Sequence, residues 1–387
     1  MTPPEVLIHD LGSRPDLEEA VLTLIEKNFP TGSPTPKKIS LREEFFLLLD
    51  PKNLSRVLFI CDENDQPVSA LAWKMFQLHE SYSGKSITVA GIGLVVTNEK
   101  HRGQGFSSSL LNEAENRARK EGALLCYLWS GLDFYQKRDY LPLGSELSWI
   151  LDSKERDLLD RRLSTEGLPS NFKVTPATSL NLSACQKLFE DLKIGPLRSK
   201  ETLSGFLNLA AVHFNIVFDA QQKIVGYGLD GKARDLQNTL HEIVGPREVV
   251  PHLLRSLIDS APRDEKNLVR IQYPIDGPLA EELKYWLGEK APEAFALVKL
   301  LDPKAFANYL AKVPELSGIT LELQEEGFRI LGPDHEEEFF SPDPSHLTQL
   351  FMSPFHPNEF GTLSPNLMDA LEDFKSLNPY FWGVDSV

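Results

Sequence analysis

Apolar positions along the first third of the chain alternate between strand-like runs and helix-like spacing. Residues 92–96 form an apolar run that is typical of a strand buried on both faces. A polar turn and a loop with two glycines, Gly103 and Gly105, follow it. From Phe106 onwards apolar residues recur every three or four positions, and Gly122 is placed to end a helix. The pattern predicts a strand, a glycine loop and a helix whose free N–H groups and dipole can bind an anion.

The same periodicities assign elements to the residues around this unit. Strands are predicted at residues 6–9, 57–61, 68–73, 87–96, 124–129 and 146–151. Helices are predicted from residue 16, at residues 41–49, at residues 106–121 and at residues 133–138. The order β-α-α-β-β-β-α-β-α-β indicates an α/β fold with a mixed sheet.

The distribution of charged and polar residues predicts where the rest of the chain divides into domains. Residues 152–172 are rich in charge and end in a loop-forming stretch, which predicts a connecting helix and a linker. Farther along, paired strands are predicted at residues 319–330 and a solvated acidic loop at residues 336–338. A short helix is predicted at residues 347–352, and an apolar segment that docks on the body at residues 380–384. We therefore predict an N-terminal domain at residues 1–152, a linker at 153–171, a second domain at 172–303 and a small C-terminal α+β domain at 304–387.

The second domain resembles a degenerate copy of the first. The hairpin pattern of residues 216–227 parallels that of residues 59–70. Aligning the following helices puts residues 245–250 where the glycine loop stands, with Glu248 in place of the loop glycine and Val250 in place of a small serine. An acidic side chain and a bulky one oppose phosphate, so the second copy is predicted to be structural.

Composition indicates a cytoplasmic protein. The 387 residues are enough for two or three domains, and no apolar run reaches the ~18–20 residues of a membrane helix. Residues 1–5 lack the pattern of an export signal. The three cysteines, Cys61, Cys126 and Cys185, lie far apart in apolar surroundings, so we expect buried thiols in a reducing compartment.

The charge balance constrains the partners. With 40 basic and 56 acidic residues the net charge is −16, a field that repels nucleic acid and anionic membranes. It favours cationic or neutral partners, although acidity can also serve only to keep the protein soluble. An anionic cofactor would then need a local positive patch, which Lys100, His101 and Arg102 supply.

Two stretches resemble a known family. Val95-Val96-Thr97 followed by Arg102-Gly103-Gln104-Gly105-Phe106-Ser107 is similar to motif A of the GCN5-related N-acetyltransferases (GNAT), (Gln/Arg)-x-x-Gly-x-(Gly/Ala). Residues 134–140, Phe-Tyr-Gln-Lys-Arg-Asp-Tyr, resemble that family's Phe-Tyr-x-(Lys/Arg)-x-Gly-Phe stretch, and the element order agrees. There are two departures: Ser107 stands where Gly or Ala is usual, and Arg138-Asp139 replaces the usual Gly before the final aromatic residue.

The resemblance implies a GNAT fold for the first domain, a degenerate GNAT-like second domain, and an acyltransferase that moves an acetyl group from acetyl-CoA to an amine. It implies that pantetheine lies between the strand holding Val95 and Thr97 and the strand holding Tyr127 and Trp129. Tyr135 matches the tyrosine that returns a proton to the departing thiolate, and it is the expected catalytic residue. The expected cofactor-binding residues are Val95, Val96, Thr97, Arg102, Gly103, Gln104, Gly105, Phe106 and Ser107.

Several candidate residues keep a structural alternative. Tyr135 can also fill the core, and His101 suits an exposed loop better than a general base. His241-Glu242 suggests a metal or acid–base pair, but nothing nearby in sequence completes it, and no metal is expected. The strand at residues 91–97 lacks an acidic side chain, so the general base stays unassigned, with Asp133 only a neighbour in sequence.

The layout of the whole chain resembles the enhanced intracellular survival family, which has tandem GNAT domains and a sterol-carrier-like C-terminal domain. The resemblance implies that the chain's terminal carboxylate, here on Val387, reaches the active site. Three functions stay open. They are an N-acetyltransferase acting on a small-molecule or peptide amine such as a cationic polyamine, a lapsed acyl-CoA-binding module, and an interaction scaffold without CoA. The acceptor and the oligomeric state are not predicted.

Overall fold

The three-dimensional structure is a computed structural model. It describes residues 6–28, 40–79, 86–130, 133–169, 171–232, 236–262, 268–294, 296–313, 316–332, 335–352, 363–365, 367–368, 371 and 385. The predicted docking of residues 380–384 and the proposed role of Val387 lie outside this set, whereas Asp385 is inside it and buried. Of the described helices, none is both long enough and apolar enough to cross a membrane.

The elements up to residue 166 follow the predicted order, with one strand at Leu141–Leu143 that the sequence pattern does not predict. The strands are β1 His9–Asp10, β2 Val57–Cys61, β3 Pro67–His79, β4 Ser86–Thr97, β5 Leu125–Leu128, β6 Leu141–Leu143 and β7 Glu146–Leu151. The helices are α1 Glu18–Asn28, α2 Leu41–Glu44, α3 Phe106–Lys120, α4 Asp133–Gln136 and α5 Ser153–Glu166. Short 3₁₀ helices lie at Pro15–Leu17, Pro51–Arg56 and Glu99–His101.

A second set of strands and helices completes the chain. The strands are β8 Lys173–Pro176, β9 His213–Phe218, β10 Ile224–Asp230, β11 Thr239–Val244, β12 Val269–Pro274, β13 Ala296–Leu300, β14 Thr320–Leu323, β15 Phe328–Leu331 and β16 Glu337–Ser341. The helices are α6 Leu182–Leu192, α7 Lys200–Asn208, α8 Val250–Ser260, α9 Ala280–Leu287, α10 Pro303–Leu310 and α11 His346–Met352, with a 3₁₀ helix at Arg247–Val249.

Three sheets organise these elements. The first has the order β1-β2-β3-β4-β5-β13-β6, the second β7-β12-β11-β10-β9-β8, and the third β14-β15-β16. In each of the two large sheets one pair of strands is parallel, β4 with β5 and β11 with β12, and the other pairs are antiparallel. The predicted α/β class with mixed sheets is confirmed.

The two large sheets exchange strands. β7, the last strand before the connecting helix, pairs with β12 in the second sheet, and β13 pairs with both β5 and β6 in the first. Each sheet therefore needs a strand from the other side of residue 152. The predicted domain limits stay predictions, and the exchange makes the two sheets depend on each other for edge pairing.

Helices cover both faces of the first sheet. α3 packs on one face, where its apolar stripe meets buried residues of β3, β4 and β5, and α1 packs on the opposite face. The α3 stripe is made of Leu110, Leu111, Ala114 and Ala118, as the spacing predicts. Cys126 and Cys185 are buried, whereas Cys61 is partly exposed, so the expectation of three buried thiols is wrong at Cys61.

Two predicted elements differ from the structure. α2 ends at Glu44 rather than at residue 49, because Phe45 leaves the helical conformation (φ −116°, ψ 43°) and the apolar residues after it fill the core beneath α1. The acidic stretch predicted as a solvated loop contains the start of β16, whose Glu337 is exposed at the edge of the third sheet. An edge strand with one solvated face tolerates such charges.

Candidate functional site

The parallel strands β4 and β5 separate after a short paired stretch. Their last paired residues are Gly91 and Tyr127, and β5 ends at Leu128. β4 continues to Thr97 beside β3 alone. Over the residues that the structure describes, no strand therefore pairs with the free side of β4 in its last half, where Val95, Val96 and Thr97 lie. An extended ligand can bond to such an edge as an added strand does.

A β-bulge bends β4 at this point. Ala70 of β3 lies opposite Val96, but Ala72 lies opposite Gly93, so one residue of β3 faces both Leu94 and Val95. Leu94 has φ +55°, a left-handed conformation that costs a leucine about 1–2 kcal/mol. Its side chain is buried in the core under α1, and that burial offsets the strain. The bulge increases local twist and turns the strand away from β5.

The loop after β4 leads directly into α3. The residue before the helix, Gly105, has φ +83° and offers no side chain to cap the first turn. The N–H groups at the start of α3 are therefore left to water or to a ligand. They carry the positive end of the helix dipole, so this loop can receive an anion, as the pattern of residues predicts.

An open cavity of about 380 Å³ lies over this loop. Its lining consists of Thr97, His101, Arg102, Gly103, Gly105, Phe106, Ser107, Ser108 and Phe134. Six of the predicted cofactor-binding residues belong to this lining, while Val95, Val96 and Gln104 do not. The structure thus brings most of them to one surface, and their role in binding stays a prediction.

Three hydroxyl groups join the end of β4 to the first turn of α3. Ser69 Oγ donates to the Val96 carbonyl at 2.9 Å and lies 2.8 Å from Thr97 Oγ1. Thr97 Oγ1 is in turn 2.7 Å from Ser107 Oγ. Ser107, which departs from the usual Gly or Ala, therefore fixes the helix start to the strand without blocking the cavity.

Two basic side chains flank the loop. Arg102 is exposed, and its Nε–H donates a long bond of 3.4 Å to the Thr97 carbonyl. Among the described residues no carboxylate forms an ion pair with Arg102, so its charge is available to an anion. His101 Nδ1 is buried and finds no hydrogen-bond partner in that same set of residues.

Tyr135 lies on α4, beneath the cavity rather than in its lining. Its side chain is 6% exposed and packs edge-on against Phe134 at 4.9 Å and Tyr140 at 5.8 Å between ring centroids. Burial raises the pKa of Tyr135 to about 12, so the phenol keeps its proton at neutral pH. The residue can donate that proton only if its hydroxyl reaches the reacting sulfur.

Arg138 connects α4 to the cavity. Its Nη1 donates to the Phe134 carbonyl at 2.7 Å, its Nη2 donates to Ser108 Oγ at 2.5 Å, and its guanidinium lies 3.8 Å from the Phe134 ring centroid. Asp139 follows with φ +64°, a conformation that glycine adopts freely and aspartate tolerates. The departure from the family pattern therefore preserves the turn, and the sequence alone gave no sign of the Arg138 contacts.

The pair His241 and Glu242 is not an acid–base pair. His241 is fully buried, its Nε2 lies 2.8 Å from the Gly231 carbonyl, and burial lowers its pKa to about 3. Glu242 instead binds Arg198. No group of three or more His, Cys, Asp or Glu side chains is arranged for a metal ion within the described part of the chain.

The second strand–loop–helix unit has a similar course but a closed loop. β11 and β12 pair in parallel only at Thr239 with Arg270 and at Leu240 with Ile271. Gly245, which begins the aligned loop, is pressed onto β10, since a Cβ there would lie 2.8 Å from the Gly226 Cα and the Val225 carbonyl. The start of this loop is therefore closed against the sheet, and Glu248 occupies the position that aligns with Gly105.

The site and fold define the class of protein. Residues 15–143 match the sequence model of a family described as an acetyltransferase (GNAT) domain. The chain therefore contains a GNAT acetyltransferase domain, which confirms the resemblance seen in its motifs.

Solved structures share the fold over nearly the whole chain. A GCN5-related N-acetyltransferase from Kribbella flavida is 16% identical with a TM-score of 0.62, covering 99% of this chain and 100% of that one. A probable N-acyltransferase from Enterococcus faecalis V583 is 14% identical with a TM-score of 0.63, covering 96% of each chain. Eis1 from Mycobacterium abscessus is 14% identical with a TM-score of 0.61, covering 98% and 100%. No curated protein matches the chain.

Proposed function

We propose that the protein is an acetyl-CoA-dependent N-acetyltransferase whose cofactor lies in the cleft between β4 and β5. One observation carries the proposal. The unpaired end of β4, the left-handed Gly105 and the uncapped start of α3 meet at a single open cavity. An extended, anionic cofactor such as coenzyme A needs this combination of a strand edge and an anion site.

The binding mode follows from the charges and the free backbone groups. The N–H groups of residues 103–107 hold the pyrophosphate, since the Arg102 N–H already donates to the Glu99 carbonyl, and the Arg102 side chain adds a positive charge at the rim. The amide groups of pantetheine bond to the free edge of β4 at Val95 and Thr97. Ser107 is small enough to leave room for the phosphates.

The chemistry is a direct attack. The nitrogen of a neutral amine forms a bond to the thioester carbon, and the carbon–sulfur bond breaks as the tetrahedral intermediate collapses. The amine loses its proton to solvent or to a base not yet assigned, and Tyr135 returns a proton to the thiolate. The raised pKa of Tyr135 keeps its proton in place until the thiolate forms.

The rest of the chain supports finer proposals. We assign residues 172–303 to a degenerate GNAT-like domain that binds no CoA, because its loop carries Glu248 and is closed against β10. The net charge of −16 favours a cationic amine, either a small molecule or a peptide, as acceptor. Free, buried Cys126 and Cys185 suit a cytoplasmic location.

A second function is supported by a different observation. The strand at residues 91–97 carries no acidic side chain, and Tyr135 is absent from the cavity lining. These features favour an acyl-CoA-binding or protein-interaction module in which catalysis has lapsed.

Calorimetric titration with acetyl-CoA tests the cofactor site. We expect Gly105→Glu to weaken binding at least about 30-fold, because a side chain strains a residue at φ +83° and its charge repels phosphate. Gly122→Ala is the matched control, since it imposes similar strain (φ +92°) in open space at the other end of α3. Equal affinities in all three proteins would remove the site from this loop.

A thiol-release assay over a panel of amines separates the two functions. The proposal expects CoA thiol to appear with at least one cationic amine, and Tyr135→Phe to slow that release by about 10-fold or more. Tight acetyl-CoA binding without thiol release on any amine would favour the lapsed module. Absence of both binding and release would favour a scaffold.

A further inference from the structure

A buried ionic cluster joins three residues that are far apart in sequence. Arg198 lies between α6 and α7, Glu242 lies on β11, and Asp385 lies 187 residues beyond Arg198. Their side chains are only 1%, 0% and 1% exposed. Burying charged groups without partners is costly, so the contacts inside this cluster decide whether it is stable.

Arg198 binds a carboxylate along each of two edges. Its Nη1 donates to Glu242 Oε1 at 2.8 Å and its Nη2 donates to Glu242 Oε2 at 2.7 Å. On the adjoining edge, Nε donates to Asp385 Oδ1 at 3.0 Å, and Nη2 also donates to Asp385 Oδ2. Such paired bonds between a planar guanidinium and a carboxylate are both strong and specific.

The Arg198–Glu242 pair is complete without Asp385. The guanidinium lies 4.1 Å from the Phe189 ring centroid and 5.0 Å from that of Phe206, and the Tyr227 hydroxyl donates to Glu242 Oε1 at 2.6 Å. Asp385 is therefore an additional ligand on an arginine whose position is fixed by its other neighbours.

The electrostatics of Asp385 agree with its being an additional ligand of Arg198. Burial raises its pKa to about 6 and the Glu242 carboxylate adds to the rise, while Arg198 and Lys232 oppose it. Asp385 pairs with one edge of the guanidinium only, so it can leave and be replaced while Glu242 keeps the other edge paired.

We propose that Arg198 and Glu242 form a carboxylate-binding site in the second sheet, and that Asp385 occupies it as an intramolecular ligand. The ligand class is a monocarboxylate, because such a ligand binds the one guanidinium edge that Asp385 fills, while Glu242 holds the other. The proposal does not depend on acetyl transfer.

The segment that carries Arg198 also connects this site to the first sheet. The segment before Arg198 bonds to the end of β3, with His79 N–H donating to Gly195 O at 2.9 Å and Leu197 N–H donating to Gln77 O at 2.7 Å. Burial raises the pKa of Tyr127 on β5, and the negative charge of Asp385 adds to the rise. Occupied by Asp385, the carboxylate site links residue 385 to β11 through Arg198 and Glu242, and to the end of β3 through the segment before Arg198.

Chemical rescue with acetate tests the proposal in the full chain. Asp385→Ala empties the site, so added sodium acetate should raise its melting temperature in a saturable way relative to sodium chloride at equal ionic strength. We expect the apparent affinity for acetate to be at least about 10-fold higher than in the wild type, where Asp385 fills the site. Asp385→Asn is the matched control, because its carboxamide fills the same space.

Each outcome decides the question. Rescue confined to Asp385→Ala supports the site, and equal acetate effects in the wild type, Asp385→Asn and Asp385→Ala overturn it. Asp191→Ala, at an exposed aspartate of α6, checks that losing any surface carboxylate has no such effect. If Asp385→Ala does not fold alone, its refolding yield becomes the readout. Recovery that requires acetate supports the proposal, and a yield indifferent to acetate contradicts it.

Discussion

Single side chains explain how the glycine loop and the stretch after α4 tolerate departures from the family pattern. Ser107 replaces a smaller residue but uses its hydroxyl to bond with Thr97. Asp139 replaces a glycine and adopts the left-handed conformation that this glycine would have. In both places the substituted residue keeps the backbone course, and the geometry around the cavity is maintained.

The left-handed residue Asp139 makes a testable prediction about stability. Asp139→Gly should raise the free energy of unfolding by up to about 1 kcal/mol, because glycine adopts φ +64° without a Cβ penalty. Urea denaturation measures the change. Gly122→Ala, which adds a Cβ at φ +92°, should shift stability by a similar amount in the opposite direction. A loss of stability in Asp139→Gly would show that its side chain makes a contact worth more than the strain.

At the scale of elements, Arg138 fixes α4 to the start of α3. Arg138→Met keeps much of the alkyl chain but removes the bonds to Ser108 Oγ and the Phe134 carbonyl. We expect kcat for acetyl transfer to fall about 10-fold, because α4 carries Tyr135, with a smaller rise in KM for acetyl-CoA. Steady-state kinetics test this, and Lys137→Met, an exposed residue beside it, is the control. Equal kinetics in both variants would contradict a positioning role for Arg138.

The exchange of strands between the sheets creates a pH-dependent contact. Glu146 begins β7, its backbone pairs with that of Glu293, and its Oε1 accepts a bond of 3.2 Å from Gln272. Burial raises the pKa of Glu146 to about 7, and the charge of Glu293 adds to the rise. Because the folded pKa exceeds the unfolded one, the stability gained from protonation is full below the unfolded pKa and is lost as pH rises through about 7.

Glu146→Gln measures that contribution directly. We take the unfolding free energy of the wild type minus that of Glu146→Gln. This difference should be about 2 kcal/mol larger at pH 5 than at pH 8, meaning that the wild type is relatively more stable at pH 5. Urea denaturation of both proteins at the two pH values gives the difference, and other titrating groups cancel in the comparison. A difference that does not change with pH would mean that Glu146 titrates normally.

Local patterns predicted the elements near the site better than their long-range partners. β4, the glycine loop and α3 follow from runs, glycines and periodicity within about thirty residues, and the structure confirms these elements. The placement of β13 between β5 and β6, and the binding of Asp385 by Arg198, depend on residues more than a hundred positions apart. Alternation of polar and apolar residues predicts that a strand has a buried face, but it does not predict which sheet the strand joins.

At the scale of the whole molecule, the two similar strand–loop–helix units differ in their loops. The first keeps an uncapped helix start over an open cavity. In the second, Gly245 at the start of the loop is pressed onto β10, and a buried arginine is paired with Glu242 of β11 and with Asp385. Strand exchange and the Arg198 cluster connect the two sheets, and the proposal gives the second unit a structural role without a CoA site of its own.

Hydrogen exchange with and without acetyl-CoA tests this division of roles most directly. Amides at residues 92–109 should exchange at least about 10-fold more slowly with acetyl-CoA bound, because the cofactor covers the edge of β4 and the start of α3. Amides at residues 245–253 should be unchanged. Protection of the second segment, or none in the first, would contradict the assignment of the cofactor to the cleft between β4 and β5.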